Sequence, residues 1–205
     1  MELIVPDAFL NFIMLEKYNV ILASGSPRRS QLLQSLDVNF SVMTLPGLDE
    51  SYPVELQGGD IVEFLANKKA DAYKLDERQL LITADTIVWH NNTAMGKPKN
   101  VDDAAEMIMS FSGNTHSVFT GVCVRTASRR YSFVEKTDVK FSSVDRDDVL
   151  YYVNKYRPLD KAGAYGIQEW IGNACIEGIN GDFYNVMGLP THRLYSVLKM
   201  VDKSW

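Results

Sequence analysis

The run Leu80-Leu81-Ile82-Thr83-Ala84-Asp85-Thr86-Ile87-Val88-Trp89 is built for burial and holds a single carboxylate. Side chains of a strand alternate between its two faces, so a run apolar at nearly every position must be covered on both. That requirement points to a strand inside an α/β sheet with helices packed on it. The shorter run Asn19-Val20-Ile21-Leu22-Ala23 reads the same way.

The rest of the pattern fits this frame. Ser24-Gly25-Ser26-Pro27 leads into a helix with Leu32, Leu33 and Leu36 on one face, Ser26 as N-cap and Pro27 as first helical residue. A second helix is expected from Gly59 to Leu75, its apolar stripe made of Ile61, Phe64, Leu65 and Ala72. Asn100 caps a third, with Ala104, Met107, Ile108 and Phe111 inward and Gly113 closing it. Two long strands, His116 to Arg125 and Tyr131 to Phe141, join through Ala127-Ser128. A helix over Asp145 to Lys155 follows, then a glycine-rich stretch from Gly163 to Gly181 with short strand-like pieces. The closing helix starts near Pro190 and buries Leu194, Val197, Leu198 and Val201. The fold class is α/β, a mixed twisted sheet flanked by helices. Residues 1–18 read as an N-terminal extension and 19–205 as one domain.

Composition removes several functions. A net charge of -5 argues against broad binding to nucleic acid, which needs a basic surface. No stretch approaches the roughly 20 apolar residues of a membrane span. The first residues carry Glu2, Pro6 and Asp7 where a signal peptide would be basic and then unbroken, so a cytoplasmic location is expected. Cys123 and Cys175 lie in apolar surroundings without C-x-x-C spacing and read as buried free thiols.

Two segments carry chemistry. Ser24-Gly25-Ser26-Pro27-Arg28-Arg29 combines a strand end, a tight turn and a helix start, which leaves backbone N–H groups free and faces the positive end of the helix dipole outward. Two arginines in that first turn oppose the dipole, and an anionic ligand would relieve the conflict. A capped helix with solvated arginines satisfies the same spacing. Asp85 is the second clue, because a carboxylate in so apolar a run needs a cation or hydrogen-bond donors. A metal ligand or a general base fits it, as does a structural ion pair. Lys69, Lys97 and the pair Asp49-Glu50 are unremarkable taken singly. His90, His116 and His192 lack metal-binding spacing, and no G-x-S-x-G elbow or G-x-x-x-x-G-K-[ST] loop occurs. What remains is carboxylates, cations and a phosphate-binding turn, a set suited to Mg²⁺ or Mn²⁺ and a polyphosphate.

The segments LASGSPRR (22–29), ADT (84–86), GKP (96–98), SGNTH (112–116), LDKAGAYGIQ (159–168) and NVMGLP (185–190) closely resemble the Maf family of nucleotide pyrophosphatases. The resemblance implies two lobes around a deep central cleft and hydrolysis of a nucleoside triphosphate between its α- and β-phosphates. It assigns phosphate handling to Ser26, Arg29, Lys69 and Lys97, metal binding to Glu50 and Asp85, and the catalytic base to Asp85. Base choice would rest on Arg29, Thr86 and Gln168, the combination of the dTTP/UTP branch, with modified pyrimidine nucleotides as further candidates. The family precedent also implies a homodimer. A branch acting on 7-methyl-GTP and a non-catalytic regulator of cell division are the competing readings.

Overall fold

The computed structural model describes residues 15–203. Among them, seven strands form one mixed sheet in the order β2-β1-β3-β5-β6-β7, with β4 paired to β3 as well. The strands are β1 (Asn19–Leu22), β2 (Phe40–Val42), β3 (Gln79–His90), β4 (Thr93–Met95), β5 (Thr115–Arg125), β6 (Arg130–Phe141) and β7 (Ile176–Asn180). β1 runs parallel to β2 and β3, and all other pairs are antiparallel. The helices are α1 (Pro27–Gln34), α2 (Gly59–Asp71), α3 (Val101–Phe111), α4 (Arg146–Tyr156), α5 (Trp170–Cys175), α6 (Phe183–Met187) and α7 (Thr191–Lys203).

Both faces of β3 are covered, as its sequence requires. One face carries Leu80, Ile82 and Ala84 into a core with Leu32 and Leu33 of α1 and Leu194, Val197 and Leu198 of α7. The opposite face packs Leu81 with Ala66 and Ala70 of α2, and Ile87 with Ile61, Val62 and Leu65. Thr83, on the α2 face, donates its hydroxyl to the Ala66 carbonyl at 2.7 Å. A further core joins α3, α4 and the far ends of β5 and β6 around Phe111, Phe141 and Tyr152.

Several expectations change in detail. α2 stops at Asp71 rather than Leu75, and its buried stripe is Ile61, Val62, Leu65, Ala66 and Ala70. Phe64 is half-exposed instead, and Ala72 is the C-cap. The glycine-rich stretch holds one short strand, β7, but also a 3-10 turn at its start (Ala162–Ala164) and the helix α5, and α6 follows directly after it. Ser26 occupies the N-cap position of α1 without a capping side-chain bond, while Asn100 Oδ1 accepts from Asp103 N at 2.8 Å as expected. Of the N-terminal extension, residues 1–14 lie outside the described residues, and Leu15 and Tyr18 are buried in the core with α7. Cys123 and Cys175 are free and buried. Among the described residues no helix is long and apolar enough to cross a membrane.

Candidate active site

The two edges of β3 are used unequally. β5 pairs along one edge from Leu81 to Trp89. On the other edge β1 reaches only to Ile82, and β4 begins only at Val88. Between them no strand is paired among the described residues, and the β1–α1 turn leaves the sheet at this gap. A pocket of about 780 Å³ opens there, lined by the turn residues Ser24 to Arg29, by Lys69 of α2, by Asp85 and Thr86, and by the 44–52 and 160–168 segments. All the residues singled out in the sequence, Ser26, Arg29, Glu50, Lys69, Asp85, Thr86, Lys97 and Gln168, line this one pocket.

Asp85 and Thr86 are neighbours in sequence and therefore point to opposite faces of the sheet. On the α2 face, Lys69 Nζ stands 2.6 Å from Asp85 Oδ1 and 2.7 Å from Glu50 Oε1. The Asp85 and Lys69 side chains are 13% and 15% exposed, which makes this pair a shielded one, whereas Glu50 reaches in from solvent at 62%. The hydrogen bond from Lys69 holds the Glu50 carboxyl below its ordinary range against the opposing effect of burial, and Lys97 adds to the lowering. On the other face, Arg29 NH2 donates to Thr86 Oγ1 at 2.9 Å. Its Nε donates to the Gly188 carbonyl at 2.8 Å and NH1 to the Ala84 carbonyl at 2.9 Å. Burial pulls the Arg29 guanidinium down from the usual arginine value, and the charge of Asp85 works in the other direction.

The two arginines of the turn thus find partners within the protein. Arg28 NH1 pairs with Asp160 Oδ2 at 2.8 Å, and Arg29 is held by carbonyls and Thr86. Both are held within the protein rather than left to solvent, which corrects the reading of a capped helix with solvated arginines. At the start of α1 the Ser26 side chain makes no cap, and the backbone N–H groups of a helix N-terminus suit an anion. Ser24 is the residue that stabilises the turn, accepting from Ser26 N at 3.2 Å.

Sequence reasoning missed a second charged group in the wall. Lys161 is 8% exposed and pairs with Asp160 Oδ1 at 2.8 Å and Glu169 Oε1 at 3.1 Å. Glu169 also accepts from the Tyr152 hydroxyl. Burial pushes the Asp160 carboxyl up, but hydrogen bonds from Lys161 and Arg28 outweigh it and set the group at about 2. No local pattern marks Lys161 within Asp160-Lys161-Ala162-Gly163-Ala164. Gly163, at φ +69°, donates to the Gly96 carbonyl at 3.0 Å and ties this segment to the Gly96-Lys97-Pro98 turn. A Cβ there would also meet Val88 Cγ2 at 2.8 Å.

Behind the pocket, His116 Nε2 bonds the Tyr165 hydroxyl at 2.8 Å, packed against Phe111 and Phe141. Burial lowers the His116 pKa to about 3, helped by neighbouring His90. The folded state therefore favours neutral imidazole, and its contribution is complete above the unfolded value near 6.5 and lost as pH falls from there toward 3. Within that window the single group makes stability fall by at most about 1.4 kcal/mol per pH unit. Denaturant midpoints from pH 7 to pH 4 should decline less steeply in His116→Gln than in wild type. Equal slopes would show that His116 does not carry this dependence.

The match to the Maf-like protein family model runs over residues 19–201. The chain belongs to the Maf family. Its curated relatives include the dTTP/UTP pyrophosphatase of Bacteroides thetaiotaomicron, 51% identical over 187 residues that cover 90% of this chain and 97% of the relative. Those of Flavobacterium johnsoniae and Porphyromonas gingivalis strain W83 are 48% and 44% identical, each covering 90% of this chain and 95% of the relative. Among solved structures, a HAM1 protein from Coxiella burnetii aligns with 89% of this Maf chain and 99% of its own, at a TM-score of 0.49 and 12% identity.

Proposed function

We propose that this Maf protein hydrolyses dTTP and UTP to the monophosphate and pyrophosphate by attack of water on the α-phosphate. The observation that carries the reading is Asp85, a shielded carboxylate at the open edge of β3, within 2.6 Å of Lys69 and facing a pocket lined with cations. Relatives about half identical over nearly their whole length, described as dTTP/UTP pyrophosphatases, support the substrate.

In this reading the N–H groups and Ser26 of the turn receive phosphate oxygens, and Lys97 and Lys69 neutralise charge on the departing pyrophosphate. As Lys69 turns to the phosphates, Asp85 becomes free to accept the proton of the attacking water. Thr86, held by Arg29, and Gln168 face the base.

The donor set also fits a divalent ion that arrives with the nucleotide. Glu50 and Asp85 present hard oxygens toward one point, now taken by the Lys69 ammonium. No group of three or more histidine, cysteine, aspartate or glutamate side chains able to hold a metal occurs among the described residues. Mg²⁺ is commonly held by one or two carboxylates plus substrate phosphates, which is what this pocket offers. Once bound, Mg²⁺ or Mn²⁺ would neutralise phosphate charge. The two free thiols accord with a reducing cytoplasm.

Pyrophosphate release from dTTP, UTP, CTP, dATP, GTP and 7-methyl-GTP tests the reading. The expected result is a kcat/KM for dTTP and UTP about tenfold or more above the others. Preference for 7-methyl-GTP would place the chain in the other branch. Nucleotide binding without release would make it a regulator.

A further inference from the structure

Thr120 lies on β5 directly across from Thr86 and is fully buried. Its hydroxyl meets two oxygens, the backbone carbonyl of Asn185 at 3.1 Å and Thr86 Oγ1 at 2.9 Å. A carbonyl has no hydrogen to give, so the single proton of Thr120 goes to Asn185. The proton between the two threonines then belongs to Thr86. From the other side a guanidinium, which only donates, gives Arg29 NH2–H to Thr86 Oγ1. The chain has one direction from end to end: Arg29 to Thr86, Thr86 to Thr120, Thr120 to Asn185.

Both ends of this chain are fastened to the same short helix. Asn185 is in α6, is fully buried, and donates its amide to the Val118 carbonyl at 3.1 Å and to Thr137 Oγ1 at 2.9 Å. Gly188, the C-cap of α6, accepts from Arg29 Nε at 2.8 Å. The side chains of Arg29, Thr86 and Thr120 and the helix close a ring, which leaves the Thr86 hydroxyl no freedom to reverse.

We infer that Thr86 meets the base only as a hydrogen-bond acceptor, and that Thr120 is the positioning residue that enforces this from behind. The inference rests on the dTTP/UTP reading. Uracil and thymine carry an N3–H that a lone pair accepts, whereas cytosine presents a lone pair at N3. An unrestrained threonine hydroxyl rotates to suit either ring. With its proton committed inward, Thr86 rejects cytosine by leaving two acceptors facing each other and unpaired.

The test is the ratio of kcat/KM for UTP over CTP in Thr120→Val, a nearly isosteric change that removes the inward acceptor and frees the Thr86 proton. The ratio should fall about tenfold or more, through KM more than kcat, because Asp85 and Lys69 lie on the opposite face. Thr120→Ser keeps the hydroxyl and should restore the ratio. If the valine variant does not fold by thermal melting, Thr120→Ala carries the same prediction. A wild-type ratio in the variant without the hydroxyl overturns the inference and leaves the dTTP/UTP reading standing, and so does a serine variant as unselective as valine. Equal use of UTP and CTP by the wild type removes both.

Discussion

Replacing Asp85 by asparagine is expected to lower kcat for pyrophosphate release about a thousandfold while the protein stays folded. General base catalysis by a positioned side chain is worth roughly 10²- to 10⁴-fold, and an amide of the same shape cannot take the proton. The fold should tolerate the change because Lys69 keeps its second partner, Glu50, at 2.7 Å. The Asp85 side chain is also 13% exposed, so the amide is not sealed away from water. Turnover measured beside a denaturant curve separates the two effects. An Asp85→Asn enzyme within a few fold of wild type would remove Asp85 as the base and turn attention to Glu50, the other carboxylate on Lys69.

The second large effect is expected at a residue with no side chain. Gly121 on β5 is the cross-strand partner of Asp85, so a side chain there would project toward α2. A Cβ at Gly121 would lie 2.3 Å from the Val62 carbonyl oxygen and 2.8 Å from Glu63 N. Those are backbone atoms of α2, and only a shift of the helix relieves the contact. Gly to Ala in a strand would otherwise gain about 0.4–1 kcal/mol from the unfolded chain. Overpacking costs about 1–3 kcal/mol and wins. Gly121→Ala should thus lose about 2 kcal/mol of stability, read from the denaturant midpoint. Activity should fall as well, because the helix that must move carries Lys69 about two turns further on. A midpoint equal to wild type would mean that α2 does not rest on this glycine.

Much of the site was legible because its residues break a pattern. Asp85 interrupts an apolar strand, and Lys97 sits between Gly96 and Pro98. These anomalies, with the family resemblance, led to residues that the fold brings into one pocket. The strands were legible for the complementary reason: alternation and uninterrupted apolar runs are direct consequences of burial on one face or two. What escaped reading follows no local pattern. Lys161 and Thr120 look ordinary in sequence, and their meaning comes from partners far along the chain, Glu169 on one hand and Thr86 and Asn185 on the other. Phe64 was misplaced because hydrophobicity alone puts it in the stripe of α2, whereas the helix turns Ile61, Val62, Leu65, Ala66 and Ala70 inward and leaves Phe64 half-exposed. A glycine inside a long strand is itself a sign of close backbone approach, and Gly121 could have been singled out on that ground.

The gap along the edge of β3 has a consequence for the protein in crowded solution. An unpaired strand edge within an apolar run is a template on which another chain can build sheet. Here the unpaired stretch is short, and it carries a guanidinium bound to the Ala84 carbonyl and a carboxylate one residue further on. Arg29 and Asp85 thereby act as gatekeepers against strand addition, besides whatever they do to a nucleotide. Removing charge from this edge strips that protection, so the variants that report best on catalysis are also those whose solubility has most to lose.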